Sequence, residues 1–206
     1  MLDYVFLLPI SLFLLLGVMS PGPSFILVAQ TAMAKSKADA YAVSLGLGVG
    51  AIIFATIAAF GLFVLLESVP ILYNGLKIAG GSYLCYLAYK MYNSSTEEAS
   101  YLKQQSKPVS LWKMFLKGLF TQLSNPKTAI VFASAFAAFL PATTPQYGYL
   151  LVCLTAFFID TAWYLLVSRL LGSGKSQQLY AKFKKNINRI GAGFMGLMGI
   201  KLITAD

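Results

Sequence analysis

The sequence contains no histidine and little charge, because only 11% of its 206 residues are Asp, Glu, Lys or Arg. Charged residues make up roughly 25% of an average soluble domain, so this composition excludes an ordinary soluble fold. The two cysteines, Cys85 and Cys153, lie inside apolar runs and predict neither a zinc site nor a disulfide framework. We therefore expect no metal and no cofactor.

Acidic residues are also scarce, with 7 Asp and Glu against 16 Lys and Arg, which gives a formal net charge of +9. A strongly basic chain can bind nucleic acid, but here the basic residues fall in short segments between apolar runs, where they set membrane orientation. Nucleic acid is therefore not an expected partner. With 58% hydrophobic residues and a mean hydropathy of +0.71, the chain is predicted to be an integral membrane protein with the lipid bilayer as its surroundings.

Six apolar runs are long enough to cross a bilayer, which takes about 20 residues. They span 4–34, 40–66, 70–92, 113–140, 147–171 and 187–205. The first run is too long for a hydrocarbon core of about 30 Å unless it is tilted or interrupted. In the second run, Gly46, Gly48 and Gly50 are expected to let helices approach closely or bend.

The basic residues of the connecting segments predict the orientation, because cytoplasmic loops are enriched in Lys and Arg. Counted alternately across the membrane, 13 of them fall on one side and 2 on the other, and Lys127 lies within a run. The first group is Lys35, Lys37, Lys90, Lys103, Lys107, Lys113, Lys117, Arg169, Lys175, Lys182, Lys184, Lys185 and Arg189; the second is Lys77 and Lys201. This bias places the first side in the cytoplasm and both termini in the periplasm.

The polar segment 93–112 divides the runs into two groups of three and is predicted to be a cytoplasmic linker. An odd number of spans per half forces the halves into opposite orientations, as in many transporters. The third and sixth runs share a starting Gly, an aromatic residue and a final Lys in 80-GGSYLCYLAYK-90 and 191-GAGFMGLMGIK-201. The predicted fold is all-α, with six transmembrane helices in two inverted three-helix repeats, 1–92 and 113–206.

Proline interrupts the first and fourth runs at corresponding places, in 20-SPGP-23 and 124-SNPK-127. Proline in a helix interior costs about 3 kcal/mol or more, and broken backbone survives in a membrane only against protein or a wet cavity. Paired breaks of this kind point to a transporter's binding site, where helix N-termini attract carboxylates and freed carbonyls attract ammonium groups. Packing kinks are the alternative interpretation of both breaks.

Asp160 is a carboxylate in the middle of the fifth run, in 157-FFIDTAWYLL-166. An ionised Asp at the bilayer centre costs about 2.5–3.5 kcal/mol, so Asp160 is a candidate for proton coupling, for recognition of a substrate ammonium, or for a neutral structural role. Lys127 is the intramembrane base that could meet it, unless its side chain extends to the interface. Gln30 follows the first break and could bind substrate or bridge two helices.

The motifs resemble those of the LysE/RhtB amino-acid exporters, and of the threonine-exporter branch in particular. The resemblance covers nearly the whole chain and includes 19-MSPGPSFILVAQTA-32, 79-AGGSYLCYLAYKM-91, 116-LKGLFTQLSNPKTAIVF-132 and an acid in the fifth run. It implies six spans, a bacterial inner-membrane location and efflux of amino acids driven by protons. Two positions depart from the family pattern: Ser24 replaces an Asn or Asp, and Asp160 replaces a frequent Glu.

The sequence therefore predicts a secondary exporter of small neutral amino acids such as threonine or homoserine, and no enzyme activity. The expected substrate-binding residues are Pro21, Gly22, Pro23, Ser24, Gln30, Asn125, Pro126 and Lys127, with Asp160 as the expected proton-coupling residue. The alternatives are a related transporter of redox equivalents or metal ions, which would need cysteines near the breaks, and a membrane scaffold. The exported amino acid and the choice between monomer and homodimer stay open.

Overall fold

The structure is a computed structural model that describes residues 4–20, 22–68, 70–93, 109–141 and 144–172, together with short stretches between 185 and 204. Within this part of the chain, all regular secondary structure is α-helical. Pro21 of the first motif and residues 94–108 of the predicted linker lie outside the described residues.

The helices follow the apolar runs of the sequence. They are α1 (Leu7–Met19), α2 (Pro23–Ala34), α3 (Lys37–Ser68), α4 (Pro70–Asn93), α5 (Leu111–Leu123), α6 (Pro126–Phe139) and α7 (Gln146–Leu171). The described residues between 185 and 204 are helical as well. The first and fourth apolar runs each contain two helices, and the second, third and fifth runs each lie within one helix as far as they are described.

The described helices include two that are long and apolar enough to cross a membrane, Lys37–Gly61 within α3 and Tyr147–Leu171 within α7. The pair α1 and α2 meets at 56° and makes a third candidate if the two helices form one span. A helical membrane protein is thus confirmed, and helix length and hydropathy identify two or three candidate spans among the described helices; the count of six stays a prediction.

The prolines act as helix starts. Pro23 and Pro126 each occupy the first turn of a new helix, where the missing N–H has no intrahelical partner to lose and the fixed φ suits the helix. Gly22 precedes α2 in an extended conformation, and Asn125 caps α6 by accepting a hydrogen bond from the backbone N–H of Lys127 at 3.1 Å. The first and fourth apolar runs therefore each divide into two half-helices at the predicted place.

Glycines bring α3 and α5 into close contact. A Cβ atom at Gly46 would overlap the backbone carbonyl of Phe115, and one at Gly118 would overlap the carbonyl of Val43. A Cβ atom at Gly50 would come within 2.6 Å of the Cβ atom of Gln122, whereas Gly48 faces Thr161 on α7. The expected close approach of helices at these glycines is confirmed.

The helix contacts of the two halves correspond to each other. α3 packs against α5 and α6, and α7 packs against α1 and α2. In the same way α1 packs against α6, and α2 packs against α5. The half-helices also match in length, with 13 residues in both α1 and α5, 12 in α2 and 14 in α6.

The buried apolar side chains form two clusters. One includes Leu14 and Phe132, and the other includes Val18 and Tyr164. All four of these side chains also line a polar pocket at the helix breaks. The pocket therefore lies between the two clusters, so that apolar packing on both sides holds its polar groups in place.

Candidate functional site

The two helix breaks are in direct contact. Asn125 Nδ2 donates a hydrogen bond to Ser24 Oγ at 3.0 Å, and Lys127 Nζ donates one to the Ser20 carbonyl oxygen at 2.5 Å. The Lys127 side chain also lies against Gly22, where a Cβ atom would come 3.1 Å from its Cδ atom. Residues about 100 positions apart in sequence thus form one site.

The contact borders a pocket in which the empty space, counted together with the open solvent at its mouth, is about 340 Å³. It is lined by Leu14, Gly17, Val18, Gly22, Ser24, Gln122, Asn125, Lys127, Thr128, Val131, Phe132, Asp160 and Tyr164. Polar groups from α2, α5, α6 and α7 face apolar side chains from α1 and α6. A pocket with a few convergent polar groups on an apolar wall is the usual form of a small-molecule site.

Four buried polar side chains form one chain of hydrogen bonds across this pocket. Asn125 donates to Ser24, and Ser24 Oγ donates to Gln122 Oε1 at 2.6 Å. Gln122 Nε2 then donates to Asp160 Oδ2 at 2.5 Å. The four side chains are between 1% and 4% exposed, so each depends on protein partners for its hydrogen bonds.

The electrostatics of the pocket combine positive helix ends with one carboxylate. The N-termini of α2 and α6 carry partial positive charge, and they are brought together by the Ser24–Asn125 contact. Lys127 adds an ammonium group, which binds the Ser20 carbonyl just beyond the C-terminus of α1, where the helix dipole favours a cation. Asp160 supplies a carboxylate from α7. A pocket that combines an amine, a carboxyl group and two positive helix ends offers partners for both ends of a zwitterion.

Several sequence-predicted residues meet at the site and others do not. Gly22, Ser24, Asn125, Lys127 and Asp160 all line the pocket. Pro23 and Pro126 are exposed, and they begin the two half-helices without lining the space between them.

The placement of Gln30 differs from the expectation. Its side chain is exposed on α2 and is not among the pocket-lining residues. At about 100° per residue, position 30 lies on another face of the helix than Ser24, whereas Thr31 returns to the face of Ser24 and is buried. The sequence argument used the distance from the break and neglected the helical phase.

Gln122, Thr128 and Tyr164 line the pocket although the sequence argument did not select them. Tyr164 lies four residues after Asp160, a spacing that places both side chains on one helix face. Gln122 is a polar residue within an apolar run three positions before Asn125. Both spacings are visible in the sequence, but several other polar residues lie equally close to the breaks, so the sequence alone does not select these residues.

A membrane-embedded helical bundle whose polar pocket forms where two helices are broken has the architecture of a membrane transporter. Comparison with known proteins specifies this class further. The model of the family "LysE type translocator" matches residues 15–206, and the chain belongs to this family. Its members are transporters and not enzymes, which confirms the resemblance seen in the sequence.

The chain is similar to proteins described as threonine efflux proteins. The one from Escherichia coli K12 is 31% identical over 202 residues, which cover 95% of this chain and 96% of that protein. The one from Salmonella typhi is 31% identical over 195 residues, with 92% and 93% covered. A protein of Escherichia coli K12 described as "Uncharacterized membrane protein YahN" is 28% identical over 187 residues, with 89% and 82% covered. No solved structure matches the chain.

Proposed function

We propose that this protein is a secondary transporter that exports small neutral amino acids across the bacterial inner membrane, with threonine or homoserine as the first candidates. The observation that carries the proposal is the buried chain of polar side chains that joins the two helix breaks to Asp160. The threonine efflux proteins among its relatives support the substrate class.

The pocket offers a partner for each part of such a substrate. The N-termini of α2 and α6, with the Lys127 ammonium beside them, suit the carboxylate group. The Ser24 hydroxyl oxygen lines the same pocket and is a partner for the ammonium group. Leu14, with the apolar residues of α6, faces the remaining space, which favours a small side chain.

The substrate-binding residues in this proposal are Gly22, Ser24, Asn125 and Lys127. Pro23 and Pro126 act indirectly, because they start the half-helices whose N–H groups face the substrate. Pro21 stays in the proposal on the basis of the sequence motif alone.

We propose further that the chain forms six spans in two inverted repeats, 1–92 and 113–206, with the cytoplasmic linker between them and both termini in the periplasm. The matched lengths of α1 with α5 and of α2 with α6 support the repeat. So do the equivalent contacts of α3 and α7 with the half-helices of the other repeat. The positive-inside bias of the sequence supports the orientation.

Asp160 is the proposed proton-coupling residue. It is 3% exposed, accepts a hydrogen bond from Gln122 and is the one carboxyl group among the described residues that line the pocket. Export against a gradient needs a coupling ion, and a carboxyl group within a transport pocket is the usual proton carrier. The cysteines that redox transport would need are absent from the pocket lining, since Cys153 contacts Thr56 and Cys85 contacts Gly196.

Transport in proteoliposomes tests the proposal with the variant Asp160→Asn. Counterflow with a panel of labelled amino acids should identify threonine or homoserine as a substrate of the wild-type protein. Asn keeps the shape and accepts the Gln122 bond but cannot release a proton, so the variant should exchange labelled for unlabelled substrate and fail in proton-driven efflux.

Two results would contradict this function. Absence of counterflow with every amino acid in the panel would remove the substrate class. Wild-type efflux and exchange by the Asp160→Asn variant, at equal protein amounts, would remove Asp160 from the coupling mechanism while leaving amino-acid transport intact.

A further inference from the structure

We propose that Thr128 is a specificity-determining residue that selects amino acids with a side-chain hydroxyl group. This inference rests on the proposed function and deepens it, because it names the chemical feature by which the pocket distinguishes threonine from valine, an apolar amino acid of the same shape. Thr128 lines the pocket from the first turn of α6, and the sequence argument did not select it.

The hydroxyl groups on the described lining of the pocket belong to Ser24, Thr128 and Tyr164. Ser24 and Tyr164 are 1% and 4% exposed and are hydrogen-bonded to each other. Thr128 is half-buried, and its one side-chain hydrogen bond among the described residues is a donation from Oγ1 to Gln122 Oε1 at 3.5 Å. Hydrogen bonds between two oxygen atoms are usually about 2.5–3.0 Å long, so the protein holds the Thr128 hydroxyl group only weakly.

The Thr128 oxygen is an acceptor to which no described residue donates. A hydroxyl group donates one proton and can also accept hydrogen bonds at its lone pairs. The Thr128 proton is directed to Gln122 Oε1, which already accepts a shorter bond of 2.6 Å from Ser24 Oγ. A substrate hydroxyl group can therefore donate to Thr128 Oγ1 while every hydrogen bond between the protein groups stays as it is.

Thr128 lies between the charged part and the apolar part of the pocket. Lys127 precedes it in the first turn of α6, where the helix N-terminus suits a carboxylate group. Val131 and Phe132 follow three and four positions later on the same helix face, about 4.5–6 Å further along the axis, and both line the pocket. A substrate with its carboxylate group at the helix start and its side chain toward the apolar wall therefore brings a side-chain hydroxyl group to Thr128.

The wall beyond Thr128 consists of apolar side chains. Leu14, Val131 and Phe132 are between 2% and 4% exposed, and the Phe132 ring stacks on that of Phe54 with 6.4 Å between the ring centroids. A hydroxyl group that entered this part of the pocket without a partner would lose its hydrogen bonds to water, which is costly. The Thr128 oxygen supplies the acceptor that a hydroxylated side chain needs there.

The experiment measures the affinities of threonine and of valine for the purified protein, in the wild type and in Thr128→Val. The two amino acids differ by one hydroxyl group in place of a methyl group, and so do the two side chains at position 128. The wild type should bind threonine more tightly than valine. Thr128→Val should reduce the ratio of the threonine affinity to the valine affinity by about 2- to 12-fold, the factor that corresponds to one neutral hydrogen bond.

Thr31→Val is the matched control. Thr31 is buried, is not among the pocket-lining residues, and donates its hydroxyl proton to the Leu27 carbonyl oxygen at 2.7 Å. This variant should keep the wild-type affinity ratio. Thr128→Ser keeps the hydroxyl group without the methyl group and should retain the preference for threonine. Thr128→Ala also removes the hydroxyl group, so it should lower the ratio as Thr128→Val does, and it serves as the test if the Val variant does not fold.

A wild-type affinity ratio in Thr128→Val would overturn the inference. Loss of the threonine preference in Thr128→Ser or in Thr31→Val would also overturn it, because the hydroxyl group at position 128 would then not be the deciding group. Equal binding of threonine and valine by the wild type would overturn the inference and leave export of small neutral amino acids intact. Absence of counterflow with every amino acid would instead remove the proposed function, and the inference with it.

Discussion

Replacement of Gly46 by Ala should destabilise the protein through a backbone clash. The added Cβ atom would overlap the Phe115 carbonyl oxygen and would lie 2.8 Å from the Leu119 backbone nitrogen. Both atoms belong to the backbone of α5, so no side-chain rotation relieves the contact and the two helices must move apart.

The magnitude follows from the cost of overpacking. Inserting one carbon atom into a tightly packed contact costs about 1–3 kcal/mol. A change of 1 kcal/mol shifts the unfolding temperature by roughly 2–4 °C for a chain of this size. Relative to Gly61→Ala, which gains the same helix propensity on the same helix, we therefore expect Gly46→Ala to unfold about 2–12 °C lower.

Gly61→Ala on the same helix is the matched control. A Cβ atom at Gly61 would meet no atom of the described residues within 4 Å, and Ala favours a helix over Gly by about 0.8–1.0 kcal/mol. This variant should unfold at the wild-type temperature or slightly above it.

A thiol-reactive fluorophore in detergent solution can follow unfolding, because Cys153 is a buried free thiol. An unchanged unfolding temperature in Gly46→Ala, or an equal decrease in Gly61→Ala, would refute the argument that glycine is required for the contact between α3 and α5.

Three further predictions concern the pocket and the orientation. Asn125→Ala should destabilise the protein by about 1 kcal/mol, because the cap of α6 is lost. It should also reduce counterflow, since Ser24 loses its hydrogen-bond donor. Ser134→Ala is the control and should have neither effect, because the Ser134 hydroxyl group has no hydrogen-bond partner among the described residues. Gly50→Ala should lower counterflow at normal protein amounts, because its Cβ atom would come 2.6 Å from that of Gln122, and wild-type counterflow would contradict this. In intact cells, a Ser100→Cys variant should not react with an impermeant maleimide, and labelling would contradict the orientation.

Sequence alone determined the features that depend on composition and local chemistry. The scarcity of charge and the lengths of the apolar runs identified a helical membrane protein, since both follow from the cost of placing charge and unpaired backbone in lipid. Proline fixes its own φ and lacks an N–H wherever it occurs, so the sequence also predicted the breaks at which α2 and α6 begin. The six-span count and the inverted repeat stay predictions that the described helices support only in part.

Tertiary structure decided which residues form the site, because contacts between distant segments depend on how the helices pack. Ser24 and Gln122 lie 98 positions apart in sequence, and their hydrogen bond exists only because α2 packs against α5. Gln30 is the contrasting case, since it lies close to the break in sequence but on an exposed face of α2, away from the pocket-lining residues. The sequence does not distinguish one polar side chain near a helix break from another. Helix packing fixes the rotation of each helix about its axis, and this rotation decides which side chains face the pocket.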